Sequence, residues 1–241
     1  MAEKWIFDAS IDAEDKQYLQ IREIVSLAME YKHKAEFEAA RILLNRASSS
    51  PVAMLELAKL YRDTPQLAMD RRTRYKSAEV ILLKLEGEYD IPEICLELWE
   101  LYRLARKPLS AMGYMMRSKR LGASIPAKSI DAVWHYIEKM DVNTATAADP
   151  HGAFVLGCEA SLIEDKYNIA IWLLQEAVDN GSGGYVGIAA LRLSELFDMH
   201  GDCELAKEYA DKSAKCGYPP VLINKSVQER IYDYHTSVCL A

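Results

Sequence analysis

Glycine and proline are scarce in this sequence, with 11 and 8 residues respectively among 241. A β-rich protein needs these residues at its many turns, and no segment shows the alternation of apolar and polar residues that is typical of a strand. Half of the residues are apolar and 27% are charged, which suffices for a substantial core and differs from the composition of disordered chains. The composition therefore predicts an all-α fold.

Long apolar runs are also missing. No window approaches the roughly eighteen apolar residues that a membrane span needs, and residues 1–16 carry acidic side chains where a secretory signal needs an apolar stretch. The cysteines are odd in number and irregularly spaced, which predicts reduced, mostly buried thiols. We therefore expect a cytoplasmic protein without membrane insertion. The five cysteines are Cys95, Cys158, Cys203, Cys216 and Cys239.

Motifs of catalysis and of metal or cofactor binding are absent. The segment 181–184 is rich in glycine but lacks the Lys-Ser/Thr of a phosphate loop and precedes no strand, so we interpret it as a connection between repeats. Two His-Cys pairs, His200 with Cys203 and His235 with Cys239, each offer two ligands where zinc takes four. We predict no catalytic residue, no cofactor, no metal and no enzymatic activity.

The net charge of −7 is unevenly distributed. Residues 1–120 contain 20 Lys/Arg and 19 Asp/Glu, whereas residues 121–241 contain 9 and 17, so the second half is acidic. Phosphate recognition needs clustered positive charge. The two basic runs, at 71–76 and 117–120, are better interpreted as solvated helix faces, and nucleic acid is an unlikely partner.

The segment 190–219 has the pattern of one complete helix–turn–helix unit. Small residues occur where two helices would touch, and large apolar residues share those faces at helical spacing. Gly201-Asp202 separates the two helices, and Gly217 with Pro219 ends the second. The small residues are Ala190, Ser194, Ala206, Ala210 and Ala214, and the large ones are Leu193, Leu196, Phe197, Leu205 and Tyr209.

The second helix of this unit recurs along the chain. Ala206-x2-Tyr209-x4-Ala214-x2-Gly217 follows Ala170-x2-Leu173-x3-Ala177-x3-Gly181 by 36 residues. Alanines in the same frame, which we call frame alanines, are spaced by 38, 33, 59 and 36 residues. The long gap contains an extra predicted helix, 127–140, and a polar segment. The frame alanines are Ala40, Ala78, Ala111, Ala170 and Ala206.

These spacings define a domain plan. We predict a polar leader at 1–16, N-terminal repeats with the extra helix at 17–140, a linker at 141–152, and C-terminal repeats at 153–241. The linker is the predicted hinge. The last repeats end in a capping helix, 221–234, because a stack of repeats otherwise exposes its terminal face. Predicted helices of the first three units are 21–31, 37–47, 52–62, 71–88, 92–106 and 109–121.

Leu27-Ala28-x2-Tyr31, followed by Ala40, Leu44 and Ala47, resembles the tetratricopeptide repeat. The alanine–aromatic–alanine–glycine second helices resemble the Sel1-like variant of that family. The resemblance implies a right-handed α-α superhelix, or solenoid, of about five repeats. It also implies a bacterial cytoplasmic adaptor or scaffold that binds other proteins. Secreted members with a regular cysteine pair in each repeat differ from this chain.

The first helices of such an array line a concave groove, so their outward residues are the candidate contacts with a partner protein or peptide. For each residue the alternative is an ordinary solvated helix face. Two other functions remain open: a ligand- or peptide-sensing regulator that changes curvature at 141–152, and an enzyme with unrecognised groups. The candidate groove residues are Arg22, Met29, Lys32, His33, Lys59, Arg62, Glu100, Arg103, Glu195 and Asp198.

Overall fold

The computed structural model describes residues 16–139 and 142–218, which form twelve α-helices and contain no β-strand. The all-α prediction is confirmed for this part of the chain, where helices pack mainly on their neighbours along the sequence. The predicted capping helix and residues 1–15 of the predicted leader lie outside the described residues. The chain divides by its internal contacts into residues 1–86 and 87–241.

The first unit contains most of four helices. They are α1 (Lys16–His33), α2 (Phe37–Arg46), α3 (Pro51–Asp63) and α4 (Arg71–Glu88), and the unit boundary falls in the last turn of α4. Helix α2 packs on both α1 and α3, and the Arg74 guanidinium of α4 donates to the Tyr61 carbonyl of α3 at 3.0 Å. The core of this unit includes Ala28, Leu44 and Leu60, which are fully buried.

The second unit contains the remaining eight helices. They are α5 (Pro92–Leu104), α6 (Pro108–Arg120), α7 (Ala127–Lys139), α8 (Val142–Ala148), α9 (Pro150–Ala160), α10 (Tyr167–Asn180), α11 (Gly184–Met199) and α12 (Cys203–Lys215). A short 3-10 turn, Glu164–Lys166, precedes α10. Helices α5 and α6 pack together, α6 packs on α9, and α9 to α12 follow in order.

Proline residues begin several helices, as their fixed φ and missing N–H favour at a first helical position. Pro51, Pro92, Pro108 and Pro150 each start a helix. The first three positions explain why the starts of α3, α5 and α6 could be predicted closely from the sequence, whereas Pro150 lies within the predicted linker.

In three interhelix turns, α1–α2, α5–α6 and α11–α12, a left-handed residue directly precedes the N-cap residue of the second helix. The second residue after the first helix is left-handed, with φ of 62° at Ala35, 60° at Arg106 and 81° at Gly201. The following residue donates its backbone N–H to a carbonyl five positions earlier, which is the Schellman arrangement. These donor–acceptor pairs are Glu36–Tyr31, Lys107–Tyr102 and Asp202–Phe197, at 2.9, 3.0 and 2.9 Å.

Each of these turns lies at the same sequence distance from a frame alanine. The accepting carbonyl belongs to an aromatic residue in every case, and a frame alanine follows nine residues later: Ala40, Ala111 or Ala206. All five frame alanines are buried, from 0% exposure at Ala170 to 8% at Ala206. The sequence pattern therefore corresponds to a repeated local structure in three of the five predicted repeats.

One prediction about small residues needs correction, and one helix end differs in conformation from the others. Ala214, predicted at a helix contact, is exposed on α12. Gly181 ends α10 as its C-cap residue, but with φ of −84°, whereas Gly122 and Gly217 are left-handed with φ of 105° and 87°. The chain leaves α10 in an extended conformation and uses Gly183, at φ 85°, instead.

The predicted linker, 141–152, contains the short helix α8 and the start of α9. The buried Thr146 hydroxyl donates to Glu176 of α10 at 2.9 Å. The Asp149 carboxylate accepts from the backbone N–H of Ser110 at 2.9 Å and from that of Gly152 at 3.2 Å. The described part of this segment is therefore bonded to α6 and α10, a finding that composition alone does not reveal.

Candidate functional site

Two of the candidate groove residues meet at a third residue that was not predicted. Lys32 of α1 and Lys59 of α3 both approach Glu56, at 3.5 and 2.8 Å. The Glu56 side chain is 14% exposed, and the two lysines are about one-quarter exposed. First helices of adjacent predicted repeats thus bring their outward charges together, with one carboxylate between two ammonium groups.

Other candidates pair with residues on their own helix. Arg62 binds its neighbour Asp63 at 2.6 Å, and Arg103 binds Glu100 through two hydrogen bonds of 2.6 and 2.7 Å. Glu195 is only 15% exposed and pairs with Arg192 at 3.0 Å. The remaining candidates are Arg22, His33 and Asp198, which are exposed, and Met29, which is half-buried.

A concavity that involves a predicted groove residue, Arg103, lies in the second unit, between α5, α6 and α7. It encloses about 440 Å³. Its lining is mainly aromatic and aliphatic, with three cationic side chains and no acidic one. We call it the α5–α7 cavity. Its lining residues are Trp99, Tyr102, Arg103, Arg106, Lys107, Pro108, Ala111, Met112, Met115 and Tyr136.

The aromatic part of this cavity is held by packing beneath it. Tyr102 is 2% exposed and stacks on Tyr114 of α6, with ring centroids 5.6 Å apart. On α7, Val133, Trp134 and Ile137 are buried. Tyr136 of the same helix is 48% exposed and lines the cavity. Aromatic side chains, of which Tyr102 is held by stacking on Tyr114, therefore form one part of the lining.

Methionine residues form a more adaptable part. Met112 is half-buried and Met115 is 7% exposed, both on α6. Their unbranched thioether side chains adjust to apolar groups of different shape. The cavity is therefore suited to an apolar side chain, and its volume lies in the range of about 300–1,000 Å³ that is common for ligand sites.

The positive charge of the cavity comes from the α5–α6 turn. Arg106 is exposed and forms no ion pair with any described residue. Lys107 lies 5.2 Å from the centre of the Tyr102 ring, and Arg103 is partly neutralised by Glu100. The lining therefore places cationic side chains, and no acidic one, beside an apolar surface.

His200, which the sequence pairs with Cys203 as a possible metal ligand, packs against neighbouring residues. His200 stacks on Tyr167 and its Nδ1 lies 2.9 Å from the Leu196 carbonyl. Within residues 16–139 and 142–218, no three His, Cys, Asp or Glu side chains are grouped as metal ligands would be. The pair His235 and Cys239 lies outside the described residues.

Of the four cysteines in the described residues, two are buried and two are exposed. Cys95 and Cys158 are buried, as predicted, whereas Cys203 and Cys216 are exposed. Burial raises the pKa of the Cys158 thiol to about 12. Such a thiol is protonated near neutral pH and is a poor nucleophile.

The basic run at 117–120 is not a simple solvated face. Arg117 is buried, with its guanidinium 3.7 Å from Asp90. Arg120 donates two hydrogen bonds to the buried Glu159, at 2.9 and 3.0 Å. Those bonds raise the pKa of Arg120. In the run at 71–76, Arg74 is also buried, so both runs contribute to internal ion pairs and hydrogen bonds.

None of the helices in the described part of the chain is long and apolar enough to cross a bilayer. Comparison of the sequence with protein-family models finds no match, and no curated protein is significantly similar to it.

Sequence reasoning identified Arg103 but missed the rest of the α5–α7 cavity. Trp99 and Tyr102 follow the helical spacing of core residues. Tyr102 is buried, in agreement with that spacing, whereas Trp99 is half-buried, and both line the cavity. One signal in the sequence could have found it. In the repeat frame, Arg106-Lys107 occupies the place of Gly201-Asp202, so two cations replace a turn-forming glycine and a capping acid.

Proposed function

We propose that this protein is a non-enzymatic adaptor that holds a peptide or helix of a partner protein. The observation that supports this function is the α5–α7 cavity, an apolar concavity bordered by a predicted groove residue and by further cations. Exposed apolar concavities with a polar surround are common binding sites for protein segments.

The proposal includes an architecture of about five Sel1-like or tetratricopeptide-like repeats in a right-handed superhelix. Its support is the repeated turn with an aromatic carbonyl acceptor and a frame alanine nine residues later. Stacked helix pairs of this kind present their first helices along one surface. We further propose a cytoplasmic location, in keeping with the free thiols of the four cysteines in the described part of the chain.

Selection from a phage-displayed random peptide library tests the function. The full-length protein is immobilised, enriched peptides are synthesised, and their affinities are measured by fluorescence anisotropy. Met112→Trp fills the cavity and should weaken binding about tenfold or more. Met199→Trp is the matched control, because Met199 is 73% exposed on α11, away from the cavity residues.

The control variant should bind like the wild type, and circular dichroism should show that both variants are folded. An absence of enriched peptides would contradict the proposal. So would peptides that bind Met112→Trp as tightly as the wild type, because their site would lie outside the cavity.

A further inference from the structure

The α5–α6 turn departs from local stability rules at two consecutive positions. Arg106 has φ of 60°, and a left-handed conformation disfavours every residue with a Cβ. Lys107 is the N-cap residue of α6 and its side chain makes no capping hydrogen bond. A cation at this end of a helix also opposes the helix dipole.

The other two turns of the same form show what local stability favours. The α11–α12 turn has Gly201 at the left-handed position and Asp202 at the N-cap, where its carboxylate accepts from Leu205 N–H at 3.2 Å. The α1–α2 turn has a small residue, Ala35, followed by an acidic N-cap residue, Glu36, whose side chain also makes no capping hydrogen bond. Only the α5–α6 turn combines a long side chain with a cationic N-cap.

Both unfavourable residues line the same cavity. The attraction of cations to the carbonyl end of α5 accounts for Arg103 in the last helical turn. It does not account for Lys107, which stands at the positive end of α6. Residues that break local rules commonly occur at functional sites, where the side chain serves a ligand.

We infer that the α5–α7 cavity recognises an acidic segment of a partner protein, in which one large apolar side chain is flanked by Asp or Glu. This inference rests on the proposed function and specifies the chemistry of the partner. The apolar side chain enters between Trp99, Tyr102 and the methionines, and the flanking carboxylates bind Arg106 and Lys107. Charge complementarity supports this occupant, because three cations and no acid line the cavity.

Specificity in this arrangement comes mainly from Arg106. Its guanidinium can bind a carboxylate through two parallel hydrogen bonds, a geometry that lysine does not offer. Hydrogen bonds to charged groups correspond to roughly a tenfold or larger change in affinity. The Arg106 charge is therefore expected to dominate the choice between an acidic peptide and its amide counterpart.

The test uses the enriched library peptides and their neutral counterparts, in which Glu becomes Gln and Asp becomes Asn. We expect enriched sequences to carry acidic residues around one apolar residue, and neutralisation to weaken binding about tenfold or more. Arg106→Gln should cause a similar loss and Arg106→Lys a smaller one. Arg46→Gln is the control, since Arg46 is an exposed arginine in the other unit.

A double variant, Arg106→Gly with Lys107→Asp, copies the sequence of the α11–α12 turn. It should raise the melting temperature and still lose the acidic peptide. A higher melting temperature together with lost binding would show that Arg106 and Lys107 serve the ligand. If the two residues served only the stability of the fold, replacing them should lower the melting temperature.

The remaining outcomes distinguish the two proposals. Enriched peptides with neutral or basic flanks that still require an open cavity would overturn the inference and leave the proposed function standing. Peptides insensitive to Met112→Trp would overturn both. Self-association that Met112→Trp abolishes, measured by sedimentation, would identify a second copy of the chain as the occupant and would overturn the inference.

Discussion

At Arg106 a long cationic residue occupies the backbone conformation that glycine holds in the α11–α12 turn. A left-handed conformation costs a non-glycine residue roughly 1–2 kcal/mol of stability. Replacing that residue by glycine recovers only part of this, because glycine also increases the entropy of the unfolded chain. Ala35 bears the same backbone cost in the α1–α2 turn. The pair therefore offers a test in which one residue lines the α5–α7 cavity and the other does not.

We predict that Arg106→Gly and Ala35→Gly each raise the free energy of unfolding by about 0.5–1 kcal/mol. The reason is relief of the left-handed strain at both positions. Urea denaturation followed by circular dichroism measures the effect. If Ala35→Gly stabilises the protein and Arg106→Gly destabilises it, the Arg106 side chain supports the fold, and its assignment to a partner would be contradicted.

Helix α9 illustrates how one buried side chain connects elements far apart in the sequence. The Asp149 carboxylate is 4% exposed. It accepts from the N–H and hydroxyl of Ser110 in the first turn of α6, and from Gly152 N–H in the first turn of α9. One residue thereby satisfies N–H groups at the starts of two helices, which otherwise lack partners within the helix.

We predict that Asp149→Ala lowers the free energy of unfolding by about 2–4 kcal/mol, because two buried helix starts lose their acceptor. Asp202→Ala is the matched control. Asp202 is exposed and caps only α12, so its loss should cost about 1 kcal/mol. Equal losses in chemical denaturation would show that the bond from Asp149 to Ser110 does not stabilise the protein.

The frame alanines set how closely the helices approach. Ala170 of α10 is 0% exposed, whereas Ala214 of α12, which fits the same sequence pattern, is exposed. The sequence pattern identifies small residues at helical spacing but does not distinguish a contact from an open face.

We predict that Ala170→Leu destabilises the protein by about 1–3 kcal/mol, because the larger side chain must displace its packed neighbours. Ala214→Leu should change stability by less than about 0.5 kcal/mol. Thermal melting of both variants provides the comparison. An unchanged midpoint for Ala170→Leu would show that the helices can separate there at little cost, contrary to the tight packing.

At the scale of the whole molecule, the net charge and the local charge of the cavity have opposite signs. The chain carries −7 overall, which repels an acidic peptide, while the α5–α7 cavity contributes three cations. Screening acts over about 10 Å at moderate salt and weakens both effects. At short range, the direct contacts of Arg106 and Lys107 with a carboxylate are stronger than the repulsion from the net charge of the chain.

We therefore predict that added sodium chloride weakens the binding of an acidic peptide to the α5–α7 cavity. Fluorescence anisotropy over a range of salt concentrations measures the slope. The neutral counterpart of the same peptide should show little dependence on salt. Tighter binding of the acidic peptide at high salt would mean that the overall negative charge outweighs the cavity cations, contrary to the local recognition proposed.

The sequence by itself determined the all-α class, most helix boundaries and the repeat frame. Proline and glycine act locally, so Pro51 and Pro92 mark helix starts and Gly217 marks an end without reference to the rest of the chain. The extra helix predicted at 127–140 corresponds to α7 for the same reason, since its apolar spacing is a local property.

Only the tertiary structure decided which side chains meet and where a cavity opens. Thr146 and Asp149 find partners 30 and 39 residues away, which makes a polar segment helical and bonded where composition predicted a linker. Trp99 has the spacing of a core residue, yet it is only half-buried and lines a cavity between α5, α6 and α7. Long-range packing sets such contacts and openings, and local sequence patterns do not encode them.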